Sequence, residues 1–222
     1  FQENLEKIKS EVKKFFPNLN NNEIKIFVEA YRDAYRKEVE GIDWELAFEG
    51  ILKNATVDPG DEGRWGRRGL ADYIGLGYVP ADRVHESGSR TLDFACCDAM
   101  IAIMAKEMGR ESEAAVLRER AGNYRNLFDP ATGFIRGKLS SGKWVEPFNP
   151  TSWGGVFVEG STWQCGSAVQ HDPAGLADLM GGRDILATRL DELMSTPPIF
   201  EVGYYGQEIH EMSEMAAIDF GQ

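Results

Sequence analysis

Apolar residues recur at helical spacing through most of the chain. Leu5, Ile8, Val12, Phe15 and Phe16 line one face and stop at Pro17, which predicts a first amphipathic helix. Asn20 with Glu23 has the form of a capping box for a second helix, striped by Ile24, Phe27, Val28, Tyr31 and Tyr35. Asp43 is placed to cap a third, Trp44 to Lys53. The widest apolar face belongs to Leu92, Ala95, Cys96, Ala99, Met100, Ile103 and Met104, whose small residues predict close helix packing. A further helix is expected from Ser112 to Phe128, ending at the Asp129-Pro130-Ala131-Thr132-Gly133 turn. Ile135 to Val145 reads as a short hairpin around Ser140-Ser141-Gly142, ended by Pro147 and Pro150. Asp172-Pro173 starts a helix that closes at Gly181-Gly182, and Asp184 to Met194 forms the next, with Ile185, Leu186, Leu190 and Leu193 expected inward.

Helix after helix with short connections and one credible hairpin indicate an all-α fold of antiparallel helix pairs. The 222 residues fit one domain or part of a larger one, and 42% hydrophobic content suffices for a core. A formal net charge of −12 argues against phosphate-backbone binding to nucleic acid and suits a neutral substrate or a cation. No apolar run is long enough to span a bilayer, and the charged start FQENLEKIKSEVKK carries no export address. Three cysteines, Cys96, Cys97 and Cys165, two of them adjacent, argue against a disulfide framework and a Cys/His zinc site, and read as small core residues. Asp58 to Gly63 is acidic and rich in turn formers, but lacks the spacing and closing Glu of an EF-hand and reads as a loop.

The candidate chemistry lies in Phe157 to Asp172, FVEGSTWQCGSAVQHD. Glu159 follows apolar Phe157 and Val158, and a carboxyl group with low-dielectric neighbours has its charged form disfavoured, the condition for a proton donor at a departing glycosidic oxygen. Trp163 offers an indole face for the C–H side of a pyranose ring, and Gln164, His171 and Asp172 offer polar groups for its hydroxyls.

Glu159-Gly160-Ser161-Thr162-Trp163-Gln164 and Val169-Gln170-His171-Asp172 resemble the Glu-Gly-Asn/Ser-x-Trp-Gln-Tyr and Val-Pro-His-Asp signatures of glycoside hydrolase family 92, the calcium-dependent exo-acting α-mannosidases. Cys165 stands where that signature has Tyr, and Gln170 where it has Pro. Arg67 to Tyr73 with Gly77 to Asp82, Glu86 to Ala95, and Tyr204 to Met215 with its Ile209-His210-Glu211-Met212 core are similar to further family stretches in the same order. The resemblance covers about Tyr31 to Gln222 and implies part of an (α/α)6 barrel whose funnel holds mannose.

The same resemblance makes Glu159 the general acid of an inverting enzyme. Trp163, Gln164, His171 and Asp172 become substrate-binding residues, and His210 and Glu211 contacts to the leaving sugar of an α-1,2 linkage. The family's base lies in a downstream Gly-Asp-Glu-Asp-x-Gly stretch that the chain does not contain. Residues 1–222 are therefore read as a single, partial catalytic module, inactive alone, without the family's N-terminal β-sandwich and C-terminal part. Calcium is implied to hold two adjacent mannose hydroxyls, with Glu211 and Glu214 as candidate ligands only. A mannose-containing glycan and the missing domains are the implied partners, and family members are often secreted, periplasmic or cell-surface bacterial proteins. The alternative is a noncatalytic helical module, a sugar-binding or scaffold remnant.

Overall fold

The computed structural model describes residues 43–59, 66–197 and 201–202. The two helices expected before Pro17 and after Asn20, together with His210, Glu211 and Glu214, lie outside the described residues. Helix α1 spans Trp44–Thr56, and the Asp43 carboxylate caps it by accepting the Leu46 N–H at 3.0 Å. Helix α2, Leu70–Leu76, lies between the left-handed glycines Gly69 and Gly77, and α3 is the long helix Ser87–Glu107. Helix α4, Glu111–Arg120, returns along α3 after a connection of only Met108, Gly109 and Arg110.

A 3₁₀ turn, Asn123–Leu127, leads into β1, Phe128–Asp129, which pairs antiparallel with β2, Phe134–Ile135. Strand β3, Ser152–Trp153, pairs parallel with β4, Glu201–Val202. Helices α5, Thr162–Cys165, α6, Pro173–Met180, and α7, Arg183–Ser195, complete the described part.

Helix α3 runs through all of the core. Leu92 and Ala95 pack with Tyr124, Leu127, Ile135, Phe157 and Val169; Ile101, Ala102 and Ala105 pack with Phe48, Ala55 and Leu117; Phe94 packs with Leu70, Tyr73 and Val79. Ala102 and Ala105 let α1 and α4 approach the backbone of α3; of the expected stripe Leu92 and Ala95 are buried, but Met100 is 37% exposed, and the buried face continues instead through Ile101, Ala102 and Ala105.

Three expectations change. The helix foreseen to Phe128 stops at Arg120, and the 3₁₀ turn after Gly122 brings Tyr124 and Leu127 into the core, with 0% and 1% exposure. An unforeseen antiparallel pair, β1 with β2, precedes the expected hairpin around Ser140-Ser141-Gly142, whose arms meet at a single antiparallel bridge, Lys138 to Trp144, with Leu139 N–H to Lys143 O at 2.8 Å and Val145 N–H to Gly137 O at 2.9 Å. On α7, Leu193 is buried, but Ile185 and Leu190 are 50% and 42% exposed, because no described element covers that face.

The stripe of α3 also buries a charge. Asp98 is fully buried, and its carboxylate accepts Arg67 Nη1 at 2.5 Å and Arg120 Nε at 2.7 Å. Arg120 also donates to Ala55 O at 2.8 Å, so one carboxylate ties α1, α3, α4 and the segment before α2 together. Both guanidiniums lie over rings, Arg67 over Phe94 at 5.2 Å and Arg120 over Tyr73 at 5.4 Å, which helps to offset their desolvation. Asp98→Ala leaves both cations unpaired in the interior and is expected to lower the unfolding free energy by about 3–5 kcal/mol in urea denaturation. A loss below about 1 kcal/mol would make the cluster worth no more than a surface pair.

Candidate active site

The segment carrying Glu159 is seated on the first turn of α3. The Glu86 N–H donates to Gly155 O at 2.8 Å, and the Gly88 and Ser89 N–H groups donate to Val156 O at 2.9 and 3.4 Å. In return the Val158 N–H donates to Ser89 Oγ at 3.0 Å, and Gly154 N–H to Gly160 O at 3.0 Å closes the loop on itself. Two glycines permit this approach. A Cβ on Gly88 would lie 2.7 Å from Val156 Cγ1, and one on Gly160 would lie 2.6 Å from Cys165 Sγ.

Within the loop Phe157 is buried, Val158 is 40% exposed and Glu159 is exposed with φ 45°, a left-handed conformation unusual for a residue bearing a side chain. The expected apolar enclosure of its carboxyl is therefore corrected: Phe157 turns into the core, Val158 turns outward, and neither walls it off. Among the described residues no hydrogen bond or ion pair engages the Glu159 carboxylate.

The residues that follow are engaged by the fold. Ser161 and Gln164 form a reciprocal cap for α5: Ser161 Oγ accepts the Trp163 N–H at 3.2 Å, and Gln164 Oε1 accepts from Ser161 N at 2.8 Å and from Ser161 Oγ at 2.6 Å. Trp163 is half-buried, edge-on to Phe134 at 4.8 Å, with the Arg189 guanidinium 5.2 Å from its ring. These side chains border a cavity of about 20 Å³ between β2, α5 and α7, room for one water and not for a sugar. Trp153 lies in the core at 6% exposure.

His171 and Asp172 belong to another neighbourhood. His171 is buried, its Nε2 2.9 Å from Ala121 O and its ring edge-on to Tyr124 at 5.5 Å, while Nδ1 is buried without a partner among the described residues. Burial, opposed by the Ala121 bond and the nearby Asp172 charge, pulls its pKa below the usual histidine value. Asp172 caps α6 through Gly175 N–H at 2.9 Å, as its Asp-Pro sequence predicts, and accepts Tyr124 Oη at 2.8 Å and Arg125 Nη2 at 2.5 Å. Burial alone would raise its pKa, but these hydrogen bonds and the Arg125 charge outweigh it and hold the carboxyl below the usual range.

The sixteen-residue stretch thus resolves into separate neighbourhoods: Glu159 on its exposed loop, Trp163 against Phe134 and Arg189, Gln164 capping α5, and His171 with Asp172 beside Tyr124 and Arg125. Sequence reasoning missed Tyr124 and Arg125, which lie about fifty residues upstream with no local pattern to point to them, and Ser89, whose hydroxyl reaches the Glu159 loop. Among the described residues no group of three His, Cys, Asp or Glu side chains is arranged to hold a metal ion.

Residues 22–218 match the model of the glycosyl hydrolase family 92 catalytic domain. The chain belongs to that family. An uncharacterized secreted glycosidase of Arthroderma benhamiae is 31% identical over a match covering 72% of this chain and 25% of that protein. Among solved structures, the chain is similar to a family 92 inverting mannosidase of Bacteroides thetaiotaomicron, with 38% identity, a TM-score of 0.70, and 87% of this chain and 26% of that one covered. A family 92 α-mannosidase of the same bacterium matches with 37% identity and a TM-score of 0.65, over 72% of this chain and 21% of that one. The chain spans about a quarter of the length of these relatives, and its helix pairs are part of their (α/α)6 barrel architecture.

The His171 environment has a pH consequence. Its folded-state pKa is depressed, so the unfolded chain binds the extra proton first; the stabilisation is complete above about pH 6.5 and is lost as pH falls through the lower folded value. The urea midpoint of the wild type should fall as pH is lowered from about 6.5, a window above the carboxylate range, and His171→Gln should flatten that slope. Parallel profiles for the two proteins would remove His171 as its source.

Proposed function

We propose that the chain is the acid-bearing part of a glycosidase that removes terminal α-linked mannose from glycans with inversion at the anomeric carbon. Support comes from its membership of family 92 and from its likeness to one structure described as an inverting mannosidase and another described as an α-mannosidase. The observation that carries the reading is Glu159 itself, a carboxylate left unengaged by the described fold and held at φ 45° on a loop clamped at both ends. Left-handed backbone at a residue with a side chain persists only when its surroundings impose it, and such residues concentrate at functional sites.

In the proposed reaction, Glu159 gives its proton to the glycosidic oxygen as the bond to the anomeric carbon breaks, and the leaving sugar departs neutral. A carboxylate outside this chain takes a proton from water, which attacks the opposite face; the two carboxyl groups stand about 6.5–9.5 Å apart to hold that water. Trp163, Gln164, His171 and Asp172 have a supporting part in this scheme, fixing the α5 and α6 ends of the site, and their contact with sugar is part of the proposal. His210 and Glu211 carry the α-1,2 preference. Calcium belongs to the proposal through the resemblance alone, and no step is routed through it.

In the full-length protein, Glu159→Gln should lower the rate of mannobiose hydrolysis by about 10²–10⁴-fold, with nuclear magnetic resonance of the wild-type product reporting the β-anomer first. Undiminished hydrolysis by the variant would refute the acid assignment. Wild-type protein that binds mannosides without cleaving them would favour the noncatalytic module. Dialysis of the same protein against a chelator should abolish hydrolysis, and added calcium should restore it; activity indifferent to both treatments would remove the ion from the scheme.

A further inference from the structure

We infer that Ser89 is the positioning residue that sets the Glu159 proton donor, an inference that rests on the reading of Glu159 as the acid. The three backbone bonds from the start of α3, Glu86 to Gly155 and Gly88 and Ser89 to Val156, hold the near end of the loop through its carbonyls. The Gly154 N–H to Gly160 O bond closes the far end. Between these anchors the chain from Phe157 to Glu159 has one described hydrogen bond through a backbone N–H, that of Val158 to Ser89 Oγ at 3.0 Å. The Sγ of Cys165 approaches the Val158 carbonyl at 3.8 Å, a weak contact that leaves the hydroxyl as the principal tie.

The Val158 N–H lies in the Phe157–Val158 peptide, one plane before the Val158–Glu159 peptide that enters the left-handed Glu159 (φ 45°), so the tie to Ser89 limits how far the chain leading into Glu159 can turn. Without the tie the loop is free to relax Glu159 into an ordinary conformation, which swings its side chain away from the direction set by the clamp. Ser89 is half-buried and lies in the first turn of a helix of twenty-one residues, a regular element from which to position a loop. Its hydroxyl acts through Val158 and makes no claim on substrate.

The test uses the full-length protein with Ser89→Ala, Ser89→Thr and Glu159→Gln. A misplaced acid matters where the leaving group needs a proton and little where it does not. Ser89→Ala should therefore lower kcat on mannobiose by about tenfold to a hundredfold with KM nearly unchanged, yet hydrolyse 2,4-dinitrophenyl α-mannoside at close to the wild-type rate. Ser89→Thr keeps the oxygen and should restore most of the loss. Amide hydrogen exchange should show protection of Val158 lost in the alanine variant and retained in the threonine one. Equal losses on both substrates, no rescue by threonine, or unchanged Val158 protection would each overturn the role of Ser89. If Glu159→Gln is impaired while Ser89→Ala matches wild type, only the positioning role fails; if Glu159→Gln is as active as wild type, the acid assignment fails with it.

Discussion

The start of helix α3 and the loop before α5 complete each other. The first N–H groups of any helix have no partner within it, and Glu86, at the N-cap, provides no side-chain cap here. Gly155 and Val156 turn their carbonyls toward those N–H groups and take the place of a cap. The contact requires backbone against backbone, and the missing Cβ of Gly88 allows it, since Val156 and Phe157 already occupy the space where a methyl would sit. Both non-glycine residues with left-handed φ among the described residues, Glu86 and Glu159, flank this contact on its two strands. Backbone freedom is given up at one place, where a helix end and an acidic loop meet.

Such a seat is useful only if α3 itself is immobile, and its other end is fixed by different physics. Ion pairing replaces apolar contact at Asp98, in the middle of an otherwise apolar stripe, with two guanidiniums brought in from distant parts of the chain. A buried ion triad of this kind adds little net stability over a well-packed apolar core, but it penalises any arrangement in which one member is unpaired. Helices α1 and α4 are thereby held in one register against α3, and the tyrosine and phenylalanine faces over the two arginines exclude water from the cluster. The loop with Glu159 is attached to the helix that contributes to all three buried clusters.

The polar residues between Ser161 and Asp172 are engaged largely by the fold. Gln164 spends its amide oxygen on a helix cap, and Asp172 has hydrogen bonds from Tyr124, Arg125 and Gly175. Glu159 differs from them in that its carboxylate is bound by none of the described residues.

Periodicity and capping residues placed helices α1, α3, α6 and α7: Asp43 and Asp172 cap where their side-chain chemistry predicts, and Leu92 and Ala95 of the stripe expected on α3 lie in the core. These are local properties, set by hydrogen bonds within a few residues and by the 3.6-residue repeat. The ordered motifs also placed the chain in its family, since residue types at fixed positions are visible without coordinates. Only the tertiary structure decided which polar groups are engaged. The partners of Asp98, His171 and Asp172 come from twenty to fifty residues away, and whether a carboxylate meets an arginine or solvent depends on which elements pack against it. For the same reason the exposure of Glu159 and the bond from Val158 to Ser89, sixty-nine residues apart, follow from how α3 meets the loop and from nothing in either segment read separately.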